Sequence, residues 1–169
     1  MGDASGRWTT WLDEHGAALI LLARQWAACH ADAEDIVQEA FVRYWRNRQG
    51  VRDPAAYLYT CVRRTAVDWL RRKQRQKQQQ EGHGPAGPRQ PCFEPAGLSA
   101  AEEERRAGME RALDALPSEQ RQVVVMKIWG GLTFAAIGQV LSISPNTAAS
   151  RYRYALEALR RHLSKALTE

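Results

Sequence analysis

Two stretches of this sequence concentrate side chains that could hold nucleic acid. In the first, Tyr57, Thr60, Arg64, Asp68 and Arg71 share one side of a helical pattern with Arg63 beside them, and the stretch ends in Arg71, Arg72, Lys73, Arg75 and Lys77. Arginine and lysine neutralise phosphates and ring faces stack on unpaired bases, so a basic, aromatic helix has the chemistry that single-stranded or melted DNA requires. In the second, Asn146, Thr147, Ser150, Arg153 and Tyr154 project near the N-terminal end of a helix, with donors and acceptors suited to base edges or phosphates. Catalytic chemistry has no comparable foothold. A nucleophile needs a neighbouring base and a metal needs clustered ligands. The four histidines and three cysteines are scattered and form no CxxC pair, so no catalytic residue, metal or cofactor is expected.

Helices must position these groups. Trp11, His15, Ala18, Leu19, Leu22, Trp26 and Cys29 recur at intervals of three and four, which predicts a first amphipathic helix from about Thr10 to Cys29. A second starts at Asp32, an N-cap residue, with Glu34 and Asp35 in the first turn, where the helix dipole favours carboxylates. Its apolar side is Ile36, Val37, Ala40, Phe41 and Tyr44; Asp35, Gln38, Glu39, Val42 and Arg46 project from the other. A polar loop carrying Arg48 and Arg52 leads to Asp53-Pro54, which opens a third helix with Leu58, Cys61, Val62, Thr65, Ala66, Trp69 and Leu70 on its core stripe.

In the C-terminal half, Ala100 to Leu116 places Met109, Ala112, Leu113 and Leu116 on one side. Ser118 to Trp129 then buries Val124, Val125 and Ile128 and stops at Gly130-Gly131. Thr133 caps a short helix, Phe134 to Leu141, with Phe134, Ile137, Val140 and Leu141 inward; Ser142 and Ile143 turn the chain. Ser144 caps again, and Pro145 opens a long helix to about Leu163 whose buried stripe is Ala148, Tyr152, Ala155, Leu156, Leu159 and Leu163. Two helices joined by so short a turn are the helix-turn-helix pattern, in which the N-terminal end of the second helix enters the major groove.

Composition bounds the rest. A chain of 169 residues makes one ordinary domain or two small ones. From Gln74 to Ser99, glutamine, glycine and proline replace helical periodicity, a flexible linker. The expectation is an all-α chain with small helical domains at 1–73 and 100–169. Net charge of +5 suits an acidic partner. No apolar run approaches the ~20 residues of a membrane span and the N-terminus has no signal-peptide core, so a cytoplasmic protein is expected. Cys29 and Cys61 read as small core residues, and Cys92 as a thiol in the linker.

Both informative halves resemble one family, the extracytoplasmic-function sigma factors of bacterial RNA polymerase. DAEDIVQEAFVRYWR and PAAYLYTCVRRTAVDWLRR resemble their second conserved region, and ALDALPSEQRQVVVMKIWGGLTFAAIGQVLSISPNTAASRYRYALEALRR the fourth. The resemblance implies that Asp35, Gln38, Glu39 and Val42 dock on the beta-prime clamp helices of core polymerase. It implies that Asn47, Arg48, Arg52, Tyr57, Arg63, Arg64 and Arg71 hold the melted minus-ten strand, where one base is flipped into a pocket. Helix 118–129 would approach the beta flap, and Asn146, Thr147, Ser150, Arg151, Arg153 and Tyr154 would read the minus-thirty-five duplex. An anti-sigma factor is the implied regulator.

Four places depart from the family pattern. Arg64 stands where asparagine is frequent, Ala135 and Ala136 where acids are usual, and Ala149 where a basic residue is common. Ser142 replaces a turn glycine, which makes a left-handed backbone there costlier. The competing reading is a stand-alone helix-turn-helix regulator that never meets polymerase. It has no use for the acidic side of the second helix or for the basic, aromatic third.

Overall fold

A computed structural model of the chain describes residues 15–79 and 99–166. A first helix, α1, occupies residues 15–23 of the described chain. It is followed by α2 (His30–Asn47), α3 (Pro54–Gln79), α4 (Ala100–Asp114), α5 (Ser118–Val124), which runs on as a π-helical turn (Val125–Trp129), α6 (Phe134–Leu141) and α7 (Pro145–Ala166). The chain is all-α, as expected; among the described residues no helix is long and apolar enough to cross a membrane. Of the expected linker from Gln74 to Ser99, residues 74–79 belong to α3 and Ser99 caps α4, while residues 80–98, with Cys92, lie outside the described residues, as does Trp11.

Helix ends differ from the sequence pattern for local reasons. α1 gives way to turns after Ala23 and does not reach Cys29. Cys29 instead caps α2, its Sγ accepting from the Asp32 amide at 3.5 Å. Asp32 is therefore in the first turn and not at the cap, and its carboxylate lies 3.4 Å from Lys73 Nζ on α3. α3 starts where expected, with Asp53 Oδ1 accepting from the Ala56 amide at 3.0 Å, but continues through Gln79. The glutamines and lysines of that last stretch are good helix formers despite having no apolar stripe.

Ala33, Ile36, Val37, Ala40 and Tyr44 of α2 pack with Ala56, Leu58, Cys61, Val62 and Ala66 of α3; Phe41 is half-buried. Tyr59 is fully buried as well, its ring edge-on to His15 at 6.3 Å. No stripe in the sequence marks it. The C-terminal helices join this same core: Val123, Val125, Met126, Leu132, Ala136 and Ile137 belong to it, and α6 packs directly on α3. A smaller core holds Ala112, Leu113, Leu116, Val124, Ala155 and Leu159. Val124 therefore serves one core while its neighbours Val123 and Val125 serve the other. The π turn beyond them leaves Ile128 48% exposed rather than buried. Met109 and Leu156 are exposed too, because the small core reaches only one edge of α4 and α7.

The helix-turn-helix is held by three devices. Thr133 Oγ1 accepts from the Ala136 amide at 3.1 Å, and Ser144 Oγ from the Thr147 amide at 3.0 Å. Between them Ser142 is left-handed (φ 57°, ψ 44°), and the next amide, of Ile143, donates to the Gly138 carbonyl at 3.0 Å. A Cβ on Gly138 would lie 2.7 Å from the Ile143 carbonyl oxygen, so only glycine lets the turn fold back over α6. The left-handed cost at Ser142 is real but small. Ser142→Gly should stabilise the fold by about 0.5 kcal/mol, the left-handed relief less the extra freedom of an unfolded glycine. Gly138→Ala should destabilise it by about 2 kcal/mol through backbone overlap; thermal melts of the two variants check the opposite signs.

Candidate nucleic-acid interface

The outer side of α2 is built by helical spacing alone. Asp35, Gln38 and Val42 are exposed on it, and Trp45, three residues further, extends the stripe at 51% exposure. The Arg48 guanidinium covers that indole at 3.5 Å from the ring centre and donates to the Trp45 carbonyl at 2.7 Å. Its spacing with Val42 places Trp45 on the same side of α2. Glu39 is placed differently from its neighbours. Its carboxylate accepts from Arg43 of its own helix at 2.8 Å and from Arg72 of α3 at 2.9 Å, while Arg43 also reaches Asp68 at 3.0 Å. The hydrogen bond from Arg72 holds the Glu39 carboxyl below the usual carboxylate range, with Arg43 adding to it. Glu39 thus joins helices, whereas Asp35 and Gln38 face outward.

The basic groups of the N-terminal half are only partly brought together. Tyr57, Arg64 and Arg71 follow one another at seven-residue steps along one side of α3, the two arginines exposed and Tyr57 half-buried against Tyr44 at 5.9 Å. Burial raises the pKa of the Tyr57 phenol and that of Cys61, with which it is hydrogen bonded. Arg52 is exposed in the loop ahead of α3, where Gly50 adopts φ +77°. Arg48 is stacked on Trp45, and Asn47 donates to the Arg43 carbonyl at 3.0 Å, so both side chains are engaged in ending α2. Arg63 is half-buried, with its Nε covered and without a hydrogen-bond partner.

On α7, Asn146 and Thr147 are exposed in the first turn, and Ser150, Arg153 and Tyr154 continue the same side, with Arg153 5.4 Å from the Tyr154 ring centre. The Thr147 hydroxyl is bonded to Ser144 at 2.8 Å. Arg151 leaves this side and pairs with Glu119 of α5 at 2.6 Å. First-turn amides and uncharged polar side chains, followed by an arginine and an aromatic ring, can follow a phosphate backbone and reach base edges. Among the described residues there is no group of three or more histidine, cysteine or acidic side chains placed to hold a metal.

Comparison with known proteins gives the same two halves. Residues 11–76 match the family model of Sigma-70 region 2, and residues 106–159 that of Sigma-70, region 4. The chain is 34% identical over 132 residues to the ECF RNA polymerase sigma factor SigK of Mycobacterium ulcerans (strain Agy99), covering 76% of this chain and 70% of that protein. It is 35% identical over 133 residues to SigK of Mycobacterium tuberculosis (strain ATCC 25618 / H37Rv), with the same coverage of 76% and 70%. In fold it is similar to the sigma factor RpoE in complex with the anti-sigma factor NepR from Bartonella quintana. There the TM-score is 0.73 at 21% identity, over 97% of this chain and 98% of that one. CnrH in complex with the cytosolic domain of CnrY gives a TM-score of 0.62 at 20% identity, over 96% and 91%.

The Glu39 bridge carries a pH-dependent prediction. A carboxyl whose pKa is lowered by folding stabilises the fold above its unfolded pKa, and that contribution is lost as pH falls through the folded value. At 37% exposure the pairs are screened, so Glu39→Gln should lower stability by only about 0.5 kcal/mol at neutral pH. The difference from wild type should vanish in denaturant melts run below the carboxylate range.

Proposed function

We infer a division of labour from one premise: the chain belongs to the extracytoplasmic-function (ECF) RNA polymerase sigma factors. It is an alternative sigma factor, a subunit that brings core polymerase to particular promoters. In our reading residues 1–73 form a region 2-like domain and residues 100–169 a region 4-like domain. The exposed stripe Asp35, Gln38, Val42 and Trp45 docks on the beta-prime clamp helices, and Glu39 supports it by fixing α2 against α3. Arg52, Tyr57, Arg64 and Arg71 hold the melted minus-ten strand. Asn146, Thr147, Ser150, Arg153 and Tyr154 read the minus-thirty-five duplex, while Arg151, tied to Glu119, sets the pose of α7 on α5. Exposed Ile128, on the π turn, offers the beta flap an apolar contact. The reaction belongs to polymerase; this subunit makes and breaks no bond, and works in the cytoplasm.

The observation that carries this reading is the exposed Asp35–Trp45 stripe in a chain that also holds a helix-turn-helix. A stand-alone regulator has nothing to dock there. An anti-sigma partner is the corresponding proposal for regulation, supported by a fold shared with a sigma factor solved in such a complex.

Transcription from pooled genomic fragments with bacterial core polymerase, followed by sequencing of RNA 5′ ends, should give discrete starts that share two upstream motifs. No starts and no co-migration with core would make the stand-alone regulator the better account. Asp35→Arg with Gln38→Arg, both at exposed positions, should abolish co-migration with core while leaving the fold and duplex binding intact. Loss of duplex binding as well would place the promoter-reading surface on α2, contrary to this reading.

A further inference from the structure

Arg151 is the first cation along α7, and it is drawn away from the helix's outer side. Asn146, Thr147 and Ser150 ahead of it are uncharged, Ala149 carries no charge either, and the next cation, Arg153, is exposed beside the Tyr154 ring. Arg151 stands four residues after Thr147 and three before Tyr154, both exposed, so its backbone lies at the edge of that side. Its guanidinium nevertheless reaches across to α5, 2.6 Å from the Glu119 carboxylate, and its side chain is left 26% exposed. Glu119, in the first turn of α5, is 68% exposed. Arg121 of α5 is engaged with Asp114 and with the Leu116 carbonyl. Apolar contacts also hold the two helices together: Val124 of α5 shares a core with Ala155 and Leu159 of α7, so loss of the pair leaves α7 seated.

We propose that Glu119 is a positioning residue that limits how tightly α7 grips a duplex: it holds Arg151 off the phosphates, and its removal adds one sequence-indifferent contact. The proposal rests on the reading of α7 as the helix that meets the minus-thirty-five duplex. Phosphate contacts strengthen binding to every sequence alike, because they carry no base information. DNA does not simply take Arg151 from its partner. The exchange breaks a charge-assisted hydrogen bond and leaves the Glu119 carboxylate bare at the edge of a polyanion, and both costs oppose it. With Glu119 gone neither cost remains, and a permanently charged guanidinium on a long stem can turn to a phosphate. The restraint keeps the hold on unrelated duplex low, where competing sites vastly outnumber the specific one.

Anisotropy titrations over a range of salt concentrations test this with the full chain, alone and with core polymerase. Two labelled duplexes are used, one with the upstream motif of a promoter found with wild type and one of scrambled sequence. Glu119→Ala should steepen the fall of log affinity with log salt by about 0.9, the value for one added phosphate contact, and raise affinity for both duplexes about eightfold at 0.1 M salt. In an Arg151→Gln chain the same Glu119→Ala change should leave the slope unaltered. Should Glu119→Ala lose helicity, Glu119→Gln gives the comparison without shortening the side chain. An unchanged slope, or an affinity that falls for both duplexes, would overturn the proposal and leave the pair a structural tie. An equal rise in affinity with and without Arg151 would overturn it too, since that is relief of repulsion from the carboxylate alone. A wild type that binds neither duplex, alone or with core, would remove the reading of α7 and this proposal with it. Failure of the sigma assignment shows differently, as no discrete transcript from wild type and no gain in binding with core, while the slopes of the free chain on scrambled duplex still decide the role of Glu119.

Discussion

Glu39 receives Arg72 from α3 and Arg43 from its own helix, Arg43 goes on to Asp68, and Lys73 closes on Asp32 a turn and more away. Each pair is half in water and individually weak. Their collective effect is on register. The apolar contacts between α2 and α3 supply most of the energy but are tolerant of sliding, since small and branched side chains fit several offsets. Charged pairs at fixed reach are not. They fix how far along α3 the stripe from Asp35 to Trp45 sits, and so its offset from the basic side of α3.

The same logic governs the C-terminal helices on a smaller scale. Thr133 and Ser144 settle where α6 and α7 begin, the left-handed Ser142 settles the angle between them, and the Glu119–Arg151 pair ties α7 back to α5. An arginine that sequence spacing would allow on the reading side is thereby committed to the scaffold. The remaining outer side of α7 is mostly uncharged at its tip, with Asn146, Thr147 and Ser150 ahead of Arg153. In the proposed reading of a duplex, discrimination among base pairs by this tip would depend on hydrogen-bond geometry more than on charge.

Much of this was legible in the residues. Caps at Asp53, Thr133 and Ser144, and the apolar spacing of α2, α3 and α6, are local signals that set local structure. What escaped was decided by partners distant in the chain. Tyr59 looks like one more ring on a basic, aromatic helix, and only contact with His15 and Gly130 explains its burial. Cys29 reads as a core residue because thiols are small and apolar, but it takes the cap of α2 where α1 ends early. Glu39, Asn47, Arg48, Arg63 and Arg151 have the right chemistry for a binding surface. Their commitment to Arg72, to helix ends, to a half-buried site and to Glu119 depends on tertiary neighbours that no spacing rule encodes.

The π turn from Val125 to Trp129 has a bearing on how such a chain can change over time. A π turn holds one residue more than the α turn it replaces, and it typically marks where a single residue has been inserted into a helix. Here the surplus residue lets Val123, Val124, Val125 and Met126 all be buried in succession, in two separate cores, which an unbroken α-helix facing one core would not allow. Lys127, inside it, reaches forward and donates to the Leu132 carbonyl at 3.1 Å, which ties down the exit. Loss of one residue between Val125 and Trp129 would turn this stretch into an ordinary α turn, and the four successive buried side chains could then no longer divide between the two cores as they do here.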